Sequence, residues 1–142
     1  MEVSFVRRRL KSAIDRARER SQQKRQRTAE AERAYQAFLD EVAIPVAKQL
    51  ANALKVESYA FTVFTPGGGL RLASDRGRDD YVELALDTAA DRSQVIGRVR
   101  RTRGSRTLDE ERPVKAGVAP DGLTEDDVLE FFLDALEPWL ER

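Results

Sequence analysis

Carboxylates and guanidinium groups are the side chains here with capacity for chemistry or charge recognition. The 142-residue chain contains no histidine and no cysteine. Without histidine it lacks the usual general base, the commonest metal ligand and every Ser-His or Cys-His pair. Without cysteine it can form no disulfide, no thiolate nucleophile and no zinc-thiolate centre. No cofactor is implied.

Four groupings deserve a chemical reading. The acids Asp75, Asp79, Asp80, Glu83 and Asp87 could hold Mg²⁺ for phosphodiester chemistry if their carboxylates converged. They lack EF-hand spacing, and Arg76 and Arg78 interrupt them, so a solvated loop and an outward strand face explain them better. The glycines of Pro66-Gly67-Gly68-Gly69 could offer N–H groups to an anion, but no Lys-Ser/Thr follows and no helix opens there. A hairpin turn is the simpler reading.

The third grouping is an arginine row, Arg98, Arg100, Arg101, Arg103 and Arg106. Arg98 and Arg100 share a strand face, with Tyr59, Phe61 or Tyr81 as possible neighbours. Basic groups interleaved with aromatics suit single-stranded nucleic acid or a phosphorylated ligand. Outward arginines opposite Glu83 and Asp87 are also ordinary cross-strand charge pairs.

The fourth is the N-terminal stretch. Residues 1–28 hold ten Lys and Arg residues, including Arg7, Arg8 and Arg9, against Glu2, Asp15 and Glu19, a net of +7. Residues 109–142 hold eleven acids against Arg112, Lys115 and Arg142, a net of −8. The chain as a whole is neutral, so its charge is strongly polarised. Such polarity is a hint about partners, or about head-to-tail attraction within or between chains; solvated helix faces alone would give it too.

The elements that must position these groups are legible from periodicity. Val3, Val6, Leu10, Ala13, Ile14 and Ala17 recur at three- and four-residue steps, the spacing of one helical face. The pattern fails across Arg18–Thr28 and resumes at Ala31, Ala34, Tyr35, Phe38 and Val42. No glycine or proline interrupts residues 1–44, so one helix is predicted through the polar gap, with a kink or restart at Pro45. A helix of that length reaches roughly 60 Å, about twice the width of a small domain. Its first half therefore needs a second copy or another partner.

Four strands are predicted beyond it: 56–65, a short one at Leu70–Ser74, 81–88 and 93–103. Ala89–Arg92 reads as a turn between the last two. A fifth strand through 107–116 is expected at a sheet edge because of Pro113. Thr124 reads as the N-cap of a closing helix, with Asp127 where a capping box prefers Glu. Val128, Leu129, Phe132, Leu133, Leu136, Trp139 and Leu140 are taken as that helix's core face.

The expected fold is thus α+β: a long N-terminal helix kinked near Pro45, a four- to five-stranded antiparallel sheet, and a C-terminal helix packed on one sheet face. Residues 1–44 are read as a projecting basic helix and 45–142 as the compact α+β domain, together one structural unit. No apolar run approaches the ~18 residues of a membrane span, and no signal-peptide core follows the N-terminal arginines. A soluble, unprocessed cytoplasmic protein with a bacterial-type composition is expected.

The leading functional expectation is a non-enzymatic interaction module. It forms a homodimer, in coiled-coil fashion, through Val3, Val6, Leu10, Ile14 and Ala17. The alternative is nucleic-acid binding by Arg7, Arg8 and Arg9 with Arg98, Arg100, Arg101 and Arg103. A Mg²⁺-dependent enzyme is the third and weakest reading.

Overall fold

The computed structural model describes residues 1–89 and 92–141. Helix α1 runs unbroken from Val3 to Phe38, straight through the polar gap. A single π turn, Leu39–Ala43, joins it to α2, Ile44–Val56. The irregularity expected at Pro45 therefore falls just ahead of it, and the helix continues. Ile44 donates its N–H to the Leu39 carbonyl, five residues back. Widening one turn makes room for a proline ring that would otherwise meet the carbonyl four residues before it. Leu39 and Ala43 are fully buried, so the π turn lies inside the core.

At the far end of α2 the chain turns on Ser58, which adopts a left-handed conformation (φ 71°). Tyr59 donates back to the Leu54 carbonyl at 2.8 Å and Ser58 to Lys55 at 3.0 Å, the bonding pattern of a Schellman cap. The helix and its cap thus occupy Val56–Tyr59, and β1 covers only Phe61–Phe64 rather than 56–65. Four more strands follow: β2, Leu70–Ser74; β3, Tyr81–Asp87; β4, Gln94–Arg103; β5, Arg106–Pro113. They form an antiparallel meander in sequence order, β1-β2-β3-β4-β5. The predicted 89–92 turn lies partly outside the described residues. Pro113 ends the edge strand, where its missing N–H costs no ladder bond.

Strand register sorts the side chains into two faces. Leu72, Val82 and Val99 align across three strands, and Leu70, Leu84 and Gly97 align beside them. These rows meet α2 through Val46, Ala47, Leu50 and Leu54, and meet the C-terminal helix α3, Glu125–Leu140. Tyr35, Phe38 and Leu39, from the end of α1 and the π turn, complete the cluster.

The capping box of α3 is complete with Asp127. Asp127 N–H donates to Thr124 Oγ1 at 3.2 Å, and Thr124 N–H donates to Asp127 Oδ2 at 3.0 Å. Lys115 Nζ lies 3.3 Å from the other oxygen of the same carboxylate.

The core face of α3 differs from the predicted one. Val128, Phe131, Phe132, Ala135, Leu136 and Trp139 are buried, whereas Leu129 and Leu133 remain 36% and 41% exposed. The inward tilt is set by Phe131 and Gly97. The ring of Phe131 lies on the glycine backbone, where a Cβ would stand 1.9 Å from Cζ. Arg112 closes the same row, its guanidinium 5.3 Å from the Phe131 centroid and 2.6 Å from Asp134. None of the described helices is long and apolar enough to cross a membrane.

Gly97→Ala forces this ring out of its seat. The cost expected for overpacking is about 1–3 kcal/mol of stability. Urea unfolding followed by the fluorescence of Trp139, the one tryptophan, measures it. Phe131→Leu added to Gly97→Ala recovers part of the loss, because a smaller side chain leaves room for the methyl.

Candidate interaction surface

Residues 1–27 are all exposed, and they are helical from Val3 on. At 1.5 Å per residue this is an arm of roughly 40 Å standing off the domain. Contact with the domain begins at Thr28 and Ala29, which are half-buried, and the core proper begins at Phe38. The core therefore takes in Phe38, Leu39 and Ala43 as well as residues after Pro45.

The apolar stripe lies along the arm with no cover. Val3 is 72% exposed, Val6 46%, Leu10 58% and Ile14 39%, and Ala17 is exposed on the same face. Phe5, 43% exposed, flanks the stripe with the Arg9 guanidinium 5.9 Å from its ring centroid. Phe5 escaped the periodic reading because it stands about 100° around the helix from Val6. The stripe steps by threes and fours from Val3 through Ala17 and meets polar Lys24 before Ala31. Arg7, Arg9 and Arg16 border it, as flanking charges border a coiled-coil seam. Among the described residues no ion pair engages any basic residue of the arm.

The sheet face away from the helices is ordered differently. Phe64, Arg71, Glu83, Arg98 and Glu111 align across all five strands. Arg71 Nε donates to Glu83 at 2.8 Å, and Arg98 lies 3.9 Å from Glu83 and 3.4 Å from Glu111. In the next row Arg100 Nε lies 3.4 Å from Asp109. Tyr81, then Asp109, hold the Arg100 guanidinium above its ordinary pKa. Tyr81 also carries the Arg71 guanidinium 4.1 Å from its ring centroid.

The arginine row is thus divided between surfaces. Arg98 and Arg100 lie on this outer face beside Tyr81, engaged by carboxylates. Arg101 and Arg103 alternate to the opposite face, on the stretch of the β4–β5 hairpin beyond the core. Tyr59 and Phe61 belong to the core side, Phe61 packing edge-on against Trp139 at 5.9 Å.

Four of the five acids considered for Mg²⁺ are dispersed among separate partners. Asp75 accepts from Thr62 at 2.7 Å, Asp80 from the Thr102 N–H at 2.7 Å, and Asp87 from the Ala89 N–H at 2.9 Å. Glu83 is held by Arg71. Among the described residues no three acidic side chains come together in a way that could hold a metal ion.

The glycine turn closes the β1–β2 hairpin as a short 3₁₀ turn, with Gly67 at φ 55° and Gly68 at φ 79°. It forms one wall of an open recess whose other wall includes Glu32, Tyr35 and Gln36 of α1. A turn that supports the root of the arm accounts for these glycines. No known protein family, curated protein or solved structure matches this chain.

Tyr35 marks the place where the arm enters the domain. Its hydroxyl is buried without a hydrogen-bond partner. Burial first, and the nearby Glu83 carboxylate second, push its pKa up to about 12. The folded state therefore favours the neutral phenol. That contribution is intact below the ordinary value near 10 and is lost as pH rises from there through about 12. In an alkaline titration followed by phenolate absorbance, Tyr35 is expected to give a late phase near pH 12. Tyr35→Phe removes that late phase.

Proposed function

We propose that this chain is a non-enzymatic interaction module that self-associates through its N-terminal helix. The observation carrying this reading is the arm itself: 27 exposed residues bearing Val3, Phe5, Val6, Leu10 and Ile14, with none of the other described residues covering them. A stripe like this on a monomeric arm is apolar area left in water. Covering the exposed half of each side chain stabilises a complex by roughly 1 kcal/mol per residue, given ~1.5–3 kcal/mol for full burial. The four stripe residues of one arm supply about 4 kcal/mol on that basis, at the low end of the ~4–15 kcal/mol that association costs. Two arms engaged at once double the gain, so a two-fold pair suits the arithmetic better than a single contact.

The outer sheet face supports the same reading by contrast. Its arginines already have carboxylate neighbours, which leaves the arm as the basic surface where unanswered charge and unanswered apolar area occur together. A cytoplasmic setting is part of the proposal, since a chain without cysteine suits a reducing compartment.

Light scattering and sedimentation of the full chain at micromolar concentration are expected to show a dimer. Leu10→Asp places a charge in the stripe and is expected to shift the chain to monomer. Its unfolding midpoint, extrapolated to low concentration, should stay within about 0.5 kcal/mol of the parent, because an exposed residue of the arm contributes nothing to the core. A monomeric parent chain that instead shifts labelled DNA or RNA at low salt would overturn self-association in favour of a polyanionic partner.

A further inference from the structure

We infer that the arm of one copy seats on the outer face of α3 of a second copy; this rests on the self-association reading and names the surface that receives the arm. Two observations meet here. Leu129 and Leu133, one helical turn apart, face solvent at 36% and 41% exposure on a helix whose other large apolar residues are buried or half-buried. Around them α3 carries six acids and no basic residue. The arm offers the complement: Val6 and Leu10, also one turn apart, bordered by Arg7, Arg9 and Arg16.

The charges on α3 are not all explained by its own chain. Asp127 is engaged by Lys115 and Asp134 by Arg112. Glu125 and Asp126 oppose the positive end of the helix dipole. Glu130 and Glu137 have no such role. Glu137 stands in the last turn, which contains no basic residue, where the dipole disfavours an anion. The arm has the reverse defect. Its first turn carries no acid, and Arg7, Arg8 and Arg9 follow immediately. An antiparallel seat, with the arm's N-terminus beside the C-terminus of α3, offsets both.

The arm cannot reach α3 of its own chain. α1 is continuous from Val3 to Phe38, and turning back would break it. Pairing arm with arm satisfies the leucines but sets two stretches of +7 against each other. Pairing arm with α3 sets +7 against −6. Opposite charge at a helix seam selects the partner.

The test uses the full chain in sedimentation velocity at low salt. One variant carries Glu130→Lys and Glu137→Lys, exposed positions on α3; another carries Arg9→Glu and Arg16→Glu on the arm. Each variant alone is expected to dissociate at least tenfold more readily than the parent. An equimolar mixture of the two is expected to recover a dimer, since each copy then finds a complementary surface on the other. Circular dichroism and Trp139 fluorescence confirm that both variants are folded. If the α3 variant dimerises as the parent does, the seat on α3 is wrong and self-association through the arm stands. Weakening of both variants without recovery in the mixture also overturns the seat. If the parent is a monomer, the underlying reading fails together with the seat.

Discussion

The governing constraint is the length of one helix against the width of the domain beside it. From Val3 to Val56 the backbone is helical without interruption, the π turn included. At 1.5 Å per residue that is roughly 80 Å, more than a domain of this size can cover. The compact part takes the C-terminal portion, where Phe38, Leu39, Ala43, Val46, Leu50 and Leu54 enter the core. The remainder stands in water. A detached helix with so polar a middle would be marginal. Here the costly nucleation step is already made by the docked end, and each further residue needs only to propagate. Glutamine, lysine and arginine between Arg18 and Arg27 are suited to that, having high helix propensity without an apolar face to bury.

The sheet explains why the proposed function falls to the arm. A five-stranded meander covered by helices on one face leaves the other face to water, and alternation along each strand must satisfy it. The solution is a row of alternating sign, Arg71, Glu83, Arg98 and Glu111, with Arg100 and Asp109 alongside. Most of these pairs are exposed and contribute little to stability individually. Their effect is on recognition: an arginine between two carboxylates is a poor hook for phosphate. Ile96, buried on this same face in line with Ala85 and Pro113, marks where the polar pattern gives way.

Periodicity and capping made much of this legible in the sequence. The helix through the polar gap, the alternation of Val82 and Leu84, the edge position of Pro113 and the Thr124 cap all follow from local rules. What local rules could not supply were facts fixed by tertiary contact. The strand start at Phe61 depends on Ser58 accepting a left-handed conformation that glycine usually fills. The orientation of α3 depends on the gap above Gly97, which lies on β4 with the whole of β5 between it and Phe131 in the chain. Any broad apolar face on α3 could have pointed inward, and spacing alone did not distinguish Leu129 and Leu133 from Phe131 and Ala135. Likewise Arg98 and Arg101 look equivalent in a row of arginines, and only strand register separates their faces.

Neutrality of the whole chain conceals the electrostatic problem this fold presents. Charges screen one another over about 8–10 Å at physiological ionic strength. The arm extends several times that distance from the domain. Its +7 and the −8 of residues 109–142 therefore do not cancel within one molecule, even though they sum almost to zero. Each surface presents its own field to solvent, and in the proposed dimer each meets the other on a second copy of the chain. Apolar residues sit inside both fields, Val6 and Leu10 in one, Leu129 and Leu133 in the other. In the proposed dimer, steering by charge and holding by apolar contact come from the same two helices. A fold that keeps opposite charges too far apart to meet within one chain is thereby predisposed to satisfy them between chains.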